Sequence, residues 1–564
     1  MSLRFLLLLV AASVGWGRPH PKIARDLEGA DPNGTVDVII QYAKTPETRH
    51  ADRLRQHGGR ARQALGLVNG MVATVPVSKL AELADDPEVA MISQDHEVTG
   101  TLDHTVGSIN GYTLSNALGS TVYVQGTGVA IAFIDSGIQA SHQDFLQYGS
   151  TSSRVVYSQS FIDSNPADLY GHGTHVIGIG AGMDAANSAS SRPFWGIAPA
   201  SNIVSLKVLD ANGKGTDSAV IAAINKAIAL KSTYNIRVIN LSLGRPVTAS
   251  YKNDPLCQAV EAAWKAGIVV VVAAGNNGRD NTYNNNGYGT ITAPGNDPYV
   301  ITVGAVNSKG NYDRSDDTIA TYSSKGPTPI DHFVKPDLVA PGNRVVSDQA
   351  SGATLETTYP ANIPATNTYL SSGSTAPSPY YFTLSGTSMA TPVVSGAAAL
   401  LIYKNPNLTP DQVKAILMKT AWRGFPTSTS TFDSATNKTY VAYHDAFTVG
   451  AGLLDVYAAY TSTETPTGVA TSPMATYNST SKTVSISMSP LVSGTTIVWG
   501  TSGPYATSIV WGTNVQGTTL VWGTTIVWGT STMQGFSVVW GTGSPWACSN
   551  PSGESVTIAI KGEN

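Results

Sequence analysis

Three short segments carry side chains that could cooperate in covalent catalysis. Ala130–Gly137 reads AIAFIDSG and closes an apolar run with Asp135; Gly171–His175 reads GHGTH; Leu384–Pro392 reads LSGTSMATP around Ser388. A serine hydroxyl is a poor nucleophile at neutral pH and needs a base within hydrogen-bond reach, which a carboxylate can orient. Ser388 precedes the apolar stretch Met389–Leu401, which predicts a helix, so its oxygen would sit among unpaired N–H groups at the positive dipole end. Pro392 is expected in the first turns of that helix, where N–H groups lack partners anyway. Taken singly, each residue has an ordinary explanation. Ser388 is a good N-cap, Asp135 a strand-end carboxylate, and Asn276 in Gly-Asn-Asn-Gly a turn. His172 and His175 could pass for a metal pair, but a third ligand and an intervening Glu are missing.

These residues must be positioned by an α/β framework. Val129–Ile134, Ile203–Val208, Val238–Leu243, Ile268–Ala273 and Val300–Val303 are continuous apolar runs. Helix-like stretches, Ser218–Leu230 and Gln258–Ala266, lie between them. Strands apolar on both faces, alternating with helices, predict a parallel sheet covered on both sides. Functional groups then gather at the carboxyl ends of the strands, which places Asp135, Ser242 and Asn276 along one edge.

Order adds what single motifs lack. Asp, His and Ser follow one another as in the subtilisin-like serine proteases, and the chain resembles that family at further points. These are AAGNNG around Asn276, SLG at Ser242–Gly244 and KPDLVAPG at Lys335–Gly342. The resemblance spans residues 105–460 and implies an Asp135–His172–Ser388 triad, the first His of GHGTH being the base. It implies an oxyanion donor in the Asn276 amide, with the Ser388 backbone N–H. It also implies walls for the first side-chain pocket from Ser242, Leu243, Gly244 and from Ala273, Ala274, Gly275. Thr292–Pro294 would floor that pocket, and Gly213, Lys214 and Gly215 would border the next subsite. No wall or floor residue is acidic, so cleavage after apolar or uncharged residues is expected. No cofactor is implied for catalysis. A structural Ca²⁺ is common in such proteins, and Asp144 matches a recurring ligand position; the loop around Asp184–Arg192 departs from the pattern in length and composition.

Residues 36–98 show a βαββαβ rhythm of ferredoxin-like size. Val36–Ala43 is β-branched, Pro46–Leu65 has a charged helical pattern, and Leu67–Val75 returns to strand character. Lys79–Ala84 is a short helix and Val89–Ser93 a last strand. The segment resembles the inhibitor-type propeptide of these proteases, which implies an intramolecular inhibitor released by autocleavage within Glu97–Thr105. A permanent accessory domain is the alternative. Thr99–Val124, rich in Gly, Ser, Thr and Asn, reads as a connection.

The 564 residues exceed one compact domain, since single cores stop growing near roughly 250–300 residues. Net charge is −4, which argues against bulk electrostatic binding of nucleic acid. Arg4 precedes the apolar run Phe5–Val10, followed by small residues to Gly17. That run is shorter than the about 20 residues of a spanning helix, so residues 1–17 read as an export signal and the protein as secreted. The two cysteines, Cys257 and Cys548, do not make a disulfide scaffold. Residues 461–564 are rich in Ser, Thr and Gly and repeat Val-Trp-Gly at Trp499, Trp511, Trp522, Trp528 and Trp540. A β-rich module with packed Trp side chains is the plain reading, and a surface- or polysaccharide-binding platform the other. The leading expectation is a secreted serine endopeptidase made as a zymogen. A silent surface-binding relative would lack a triad member, and an esterase would show Gly-x-Ser-x-Gly in the order Ser, Asp, His.

Overall fold

The computed structural model describes residues 20–24, 27, 30–95, 97–100, 107–110, 114, 125–184, 195–282, 285–310, 312–370, 374–433, 436–478, 483–487 and 559–563. The export segment, Cys548 and the Val-Trp-Gly repeats lie outside them. The chain divides into two units, Met1–Gln94 and Asp95–Asn564.

In the first unit, β1 (Thr35–Tyr42), α1 (Thr48–Gln56), β2 (Arg60–Leu65), β3 (Gly70–Pro76), α2 (Leu80–Ala84) and β4 (Val89–Gln94) follow in order. The antiparallel sheet runs β2-β3-β1-β4. Val38, Ile40 and Ile92 of the sheet form one core with Leu54 of α1 and Leu80 of α2. The helix expected over Pro46–Leu65 is shorter and gives way to a strand. Gly58 takes a left-handed conformation (φ 74°) and breaks the helix, and Arg60–Leu65 then pairs with β3. Likewise β3 starts only at Gly70, because Asn69 is left-handed (φ 48°).

The second unit opens with β5 (Glu97–Gly100), whose last two residues fall in the stretch Thr99–Val124 expected to be a connection. Then come β6 (Ala130–Asp135), β7 (Val155–Ser160), α3 (His172–Ala181), β8 (Asn202–Lys207), β9 (Lys214–Thr216), α4 (Asp217–Tyr234), β10 (Ile236–Leu241), β11 (Leu243–Gly244), α5 (Pro255–Lys265), β12 (Val269–Ala273), β13 (Ile301–Asn307), β14 (Thr318–Ile319) and β15 (Leu338–Pro341). The central sheet has the order β14-β13-β12-β10-β6-β8-β7, with β15 also beside β13. All its pairs are parallel except β13–β14. Strands β6, β12 and β13 are buried along their whole length, as continuous apolar runs require in a sheet covered on both faces. From β6 the chain passes to the edge strand β7, returns to β8 beside β6, and then crosses to β10, β12 and β13 on the other side. The order therefore reverses at β6, which ends in Asp135.

Further on lie β16 (Val345–Asp348), β17 (Tyr381–Leu384), α6 (Thr387–Lys404), α7 (Pro410–Thr420), and the hairpin β18 (Ser428–Asp433) and β19 (Lys438–Tyr443). Helix α6 is buried from Thr387 to Ile402, consistent with a sequence apolar on every side.

Candidate active site

Helix α3 begins at His172 because Gly171 supplies a left-handed N-cap (φ 101°). Gly173 is also obligatory, since a Cβ there would lie 2.3 Å from the Gly137 carbonyl oxygen. Close approach of these backbones carries His172 Nδ1 to 2.5 Å from Asp135 Oδ1. The same oxygen accepts from the Ser136 N–H at 2.7 Å. Both side chains are almost wholly buried, where a charged hydrogen bond gains strength from the low dielectric.

A residue passed over in the sequence, Asp168, organises this start. Its carboxylate accepts from the N–H groups of Gly171 (2.7 Å) and Thr174 (2.8 Å), the Thr174 hydroxyl (2.7 Å) and the Ser136 hydroxyl (2.8 Å). Ser136 in turn accepts from the Gly173 N–H at 2.8 Å. An acid just ahead of a helix start is the usual partner for orphaned N–H groups, which is the signal that could have found it. His175 points elsewhere. Its Nε2 lies 3.3 Å from Val345 O and 3.1 Å from Phe382 O, and burial drives its pKa down to about 3.

Ser388 is the second residue of α6, after the cap Gly386. Its Oγ lies 3.1 Å from the Ser242 carbonyl oxygen, to which it can donate. Pro392 falls beyond the turn whose N–H groups are unpaired anyway, contrary to expectation. Its missing N–H therefore deprives the Ser388 carbonyl of its helical donor. The Ser242 hydroxyl takes over that role at 2.6 Å and is itself held by Asn240 Nδ2 at 2.9 Å. Ser242 thus contributes through its side chain as well as its backbone, which the sequence did not suggest.

Asn276 stands three residues past β12. Its Oδ1 accepts from the Thr387 N–H (2.9 Å) and hydroxyl (3.0 Å), and that hydroxyl also accepts from the Gly275 N–H. This fixes the amide, so its Nδ2 is the end left to donate; it is buried and unpartnered among the described residues. A buried amide donor without an acceptor is costly unless a ligand oxygen takes its place.

The expected pocket residues come together. A Cβ on Gly244 would lie 2.6 Å from Thr292 Oγ1, and one on Gly275 (φ 102°) 2.8 Å from Thr292 Cγ2. The Thr292 N–H donates to Ala274 O at 3.0 Å, and Arg245 and Ala293 exchange backbone hydrogen bonds beneath. Ala273 ends β12 beside this wall, and Gly213 (φ 75°) turns the chain into β9 with Lys214 and Gly215. Between β11 and β9 runs β5, antiparallel to both. Gly100 pairs with Leu243, Thr99 with Gly244 and Lys214, and Val98 with Gly215. Beneath β11, Arg245 is fully buried between Asp217 (2.9 Å) and Asp254 (2.8 Å), another feature the motifs did not reveal.

Asp144 is buried and accepts from the Tyr381 hydroxyl at 3.0 Å. Ligand atoms of His142, Asp144 and Asp348 lie within 4.8 Å of one another. Burial, reinforced by Asp144, pushes the Asp348 carboxyl well above the usual range, a charge imbalance that a cation would relieve. Two carboxylates and an imidazole fit a cation only in part as a Ca²⁺ shell, which takes about six to eight oxygens. Residues 185–194 lie outside the described residues.

Comparison with known proteins agrees with this architecture. The subtilase family model matches residues 126–452. Serine protease AprX of Bacillus subtilis is 37% identical over 299 residues, covering 52% of this chain and 61% of that one, so the chain spans about three fifths of that relative. Subtilisin E of Bacillus subtilis is 32% identical over 411 residues, covering 72% of this chain and 85% of its own. The crystal structure of fervidolysin from Fervidobacterium pennivorans superposes with a TM-score of 0.55 at 20% identity, covering 79% of this chain and 64% of that one, a likeness of fold alone.

Proposed function

The chain belongs to the subtilase family, and from that premise we propose that it is a secreted serine endopeptidase made as an autoprocessed zymogen. Two observations support the reading: the buried Asp135–His172 pair, and the start of α6, where Asn276 is bonded to Thr387 next to Ser388. Asp135 accepts from His172 Nδ1–H, so Nε2 is the basic nitrogen, and it receives the Ser388 proton as Oγ attacks a peptide carbonyl. Carbonyl carbon and Oγ form a bond, and the imidazolium returns the proton to the departing amine. Asn276 Nδ2–H and the Ser388 N–H, at the helix start, stabilise the oxyanion. Water then repeats the sequence on the acyl-enzyme. The decisive test compares casein hydrolysis by the wild type and by Ser388→Ala, in which activity should vanish; a Ser388→Ala protein that still hydrolyses casein overturns the assignment.

Substrate lies antiparallel between β9 and β11, where Glu97–Gly100 of the chain itself now runs. That pairing supports residues 36–98 as an intramolecular inhibitor. Gly100 lies next to the Leu243 edge, so the processed bond falls just beyond it, within Thr101–Thr105. Ser242–Gly244, Ala273–Gly275 and Thr292 bound the first pocket, with Gly213, Lys214 and Gly215 at the next subsite. The preference for apolar or uncharged residues fails if an arginyl substrate turns over faster than a phenylalanyl or leucyl one. Export rests on residues 1–17; among the described residues no helix is long and apolar enough to cross a membrane. Asp144 is the proposed ligand of a structural cation that takes no part in the chemistry. For the tail of residues 461–564, whose Trp repeats lie outside the described residues, a β-rich module with packed Trp side chains is the favoured reading and a surface- or polysaccharide-binding platform the second.

A further inference from the structure

After the repeats, residues 559–563 return to the protease unit and make contacts that no catalytic motif calls for. Glu563 is 4% exposed, an unfavourable place for a carboxylate unless it is met by donors. Three donors meet its Oε1: Arg279 Nη2 at 2.8 Å, the Thr321 N–H at 2.9 Å and the Thr321 hydroxyl; Oε2 is buried without a hydrogen-bond partner among the described residues. The Arg279 guanidinium is itself prepared, held by Asp433 at 2.6 Å and the Thr321 hydroxyl at 2.8 Å, and stacked on Tyr440. The backbone is read as closely as the charge. Asn343 donates to Glu563 O at 2.9 Å and accepts from its N–H at 2.7 Å. Asn362 donates to Ile560 O at 2.7 Å, and the Ser385 N–H to Ala559 O at 2.7 Å. Position 562 must be glycine: its φ is +62°, and a Cβ would lie 2.4 Å from Ser385 Oγ and 2.8 Å from Asn343 Oδ1.

The two anchoring runs are those that carry the proposed oxyanion donors. Arg279 follows Asn276 by three residues, and Ser385 precedes Ser388 by three. Between them, the Gly278 N–H donates to Tyr322 O, the Asn277 N–H to Ser324 Oγ, and the Gly386 N–H to Gly342 O beside Asn343. We propose that Ala559–Glu563 is a docking peptide for a carboxylate-recognising site on the protease unit, and that its seating positions the Asn276 and Ser388 segments relative to each other. The occupant is the chain's own C-terminal segment. Glu563 and Gly562 are positioning residues that touch no substrate.

The proposal rests on the protease reading, and the test separates the two. Glu563→Gln and Gly562→Val are made in the full chain and assayed on a peptide substrate beside the wild type. Both are expected to lower kcat by about tenfold with KM within about twofold, since an oxyanion donor acts mainly in the transition state. Adding a synthetic decapeptide of residues 555–564 should restore kcat of either variant saturably, whereas the same peptide bearing Glu563→Gln should not. Wild-type kcat in both variants, or a loss that the matching peptide leaves untouched, overturns the inference. An inactive wild type would instead strike the protease reading. Restoration of either variant by added Ser388→Ala protein, which is itself inactive but carries an intact Ala559–Glu563 segment, would place the occupant on a second copy and refute docking within one chain.

Discussion

At the scale of single residues, the site depends on a few polar atoms whose partners are settled by backbone geometry. Asn276 uses its carbonyl end on Thr387, which leaves the amide end to donate. Asn276→Leu should lower kcat by about 10²–10³ with little change in KM, the size known for the equivalent donor of a subtilisin. An unchanged kcat would remove Asn276 from the oxyanion site. Ser242 repairs the gap that Pro392 makes in α6. Ser242→Ala leaves the buried Ser388 carbonyl without that donor and should cost about 1–3 kcal/mol in urea unfolding.

At the scale of elements, two buried polar groups decide how the edges of the sheet hold together. Arg245 ties the loop after β11 to the starts of α4 and α5 through Asp217 and Asp254. Arg245→Met would strand two buried carboxylates and should cost about 3–5 kcal/mol, measurable as a lowered unfolding midpoint. On α3, His175 is buried neutral, with a folded pKa of about 3 against the ordinary 6.5. Between those values the unfolded chain binds the extra proton, so stability is full above about 6.5 and falls as pH drops toward 3. His175→Gln, which keeps a donor toward Val345 O and Phe382 O, should flatten that part of the stability profile; an equally steep profile would exclude His175 as its source. Removing divalent cations with a chelator should lower the melting temperature without changing kcat at low temperature, if Asp144 and Asp348 share a cation.

At the scale of the whole molecule, two of the chain's own segments lie against the proposed site. Glu97–Gly100 runs between β9 and β11, the proposed substrate strands, and Ala559–Glu563 bonds to the segments that carry the proposed oxyanion donors. The Ser388→Ala protein should therefore be recovered with residues 36–98 still covalently attached. Wild-type protein should begin within or just after Thr101–Thr105, as N-terminal sequencing would show. A Ser388→Ala protein that is cut at the same place would mean that another protease does the processing.

Much of this is legible in the amino-acid sequence. Period and composition revealed β6, β8, β10, β12 and β13, because a strand buried on both faces must be apolar throughout; the half-buried edge strand β7 and the short β15 were not among those runs. The Asp135, His172, Ser388 and Asn276 motifs stood out by their order and their flanking glycines: Gly173 has no room for a Cβ against the Gly137 backbone, and Gly171 and Gly275 take positive φ. Where local pattern misled, a longer-range demand overruled it. Arg60–Leu65 had helical texture yet became a strand because β3 needed a partner, and Thr99 and Gly100, at the start of the stretch that looked like linker, pair with β9 and β11. The supports of the site, Asp168, Thr387, the Ser242 hydroxyl and the Arg245 cluster, left little trace in the motifs. So did the pairing of Arg279 with Glu563, nearly three hundred residues apart. Side-chain type and spacing declare what chemistry a chain can attempt; which buried donor meets which acceptor is decided only when distant segments close over one another and water no longer competes for the bond.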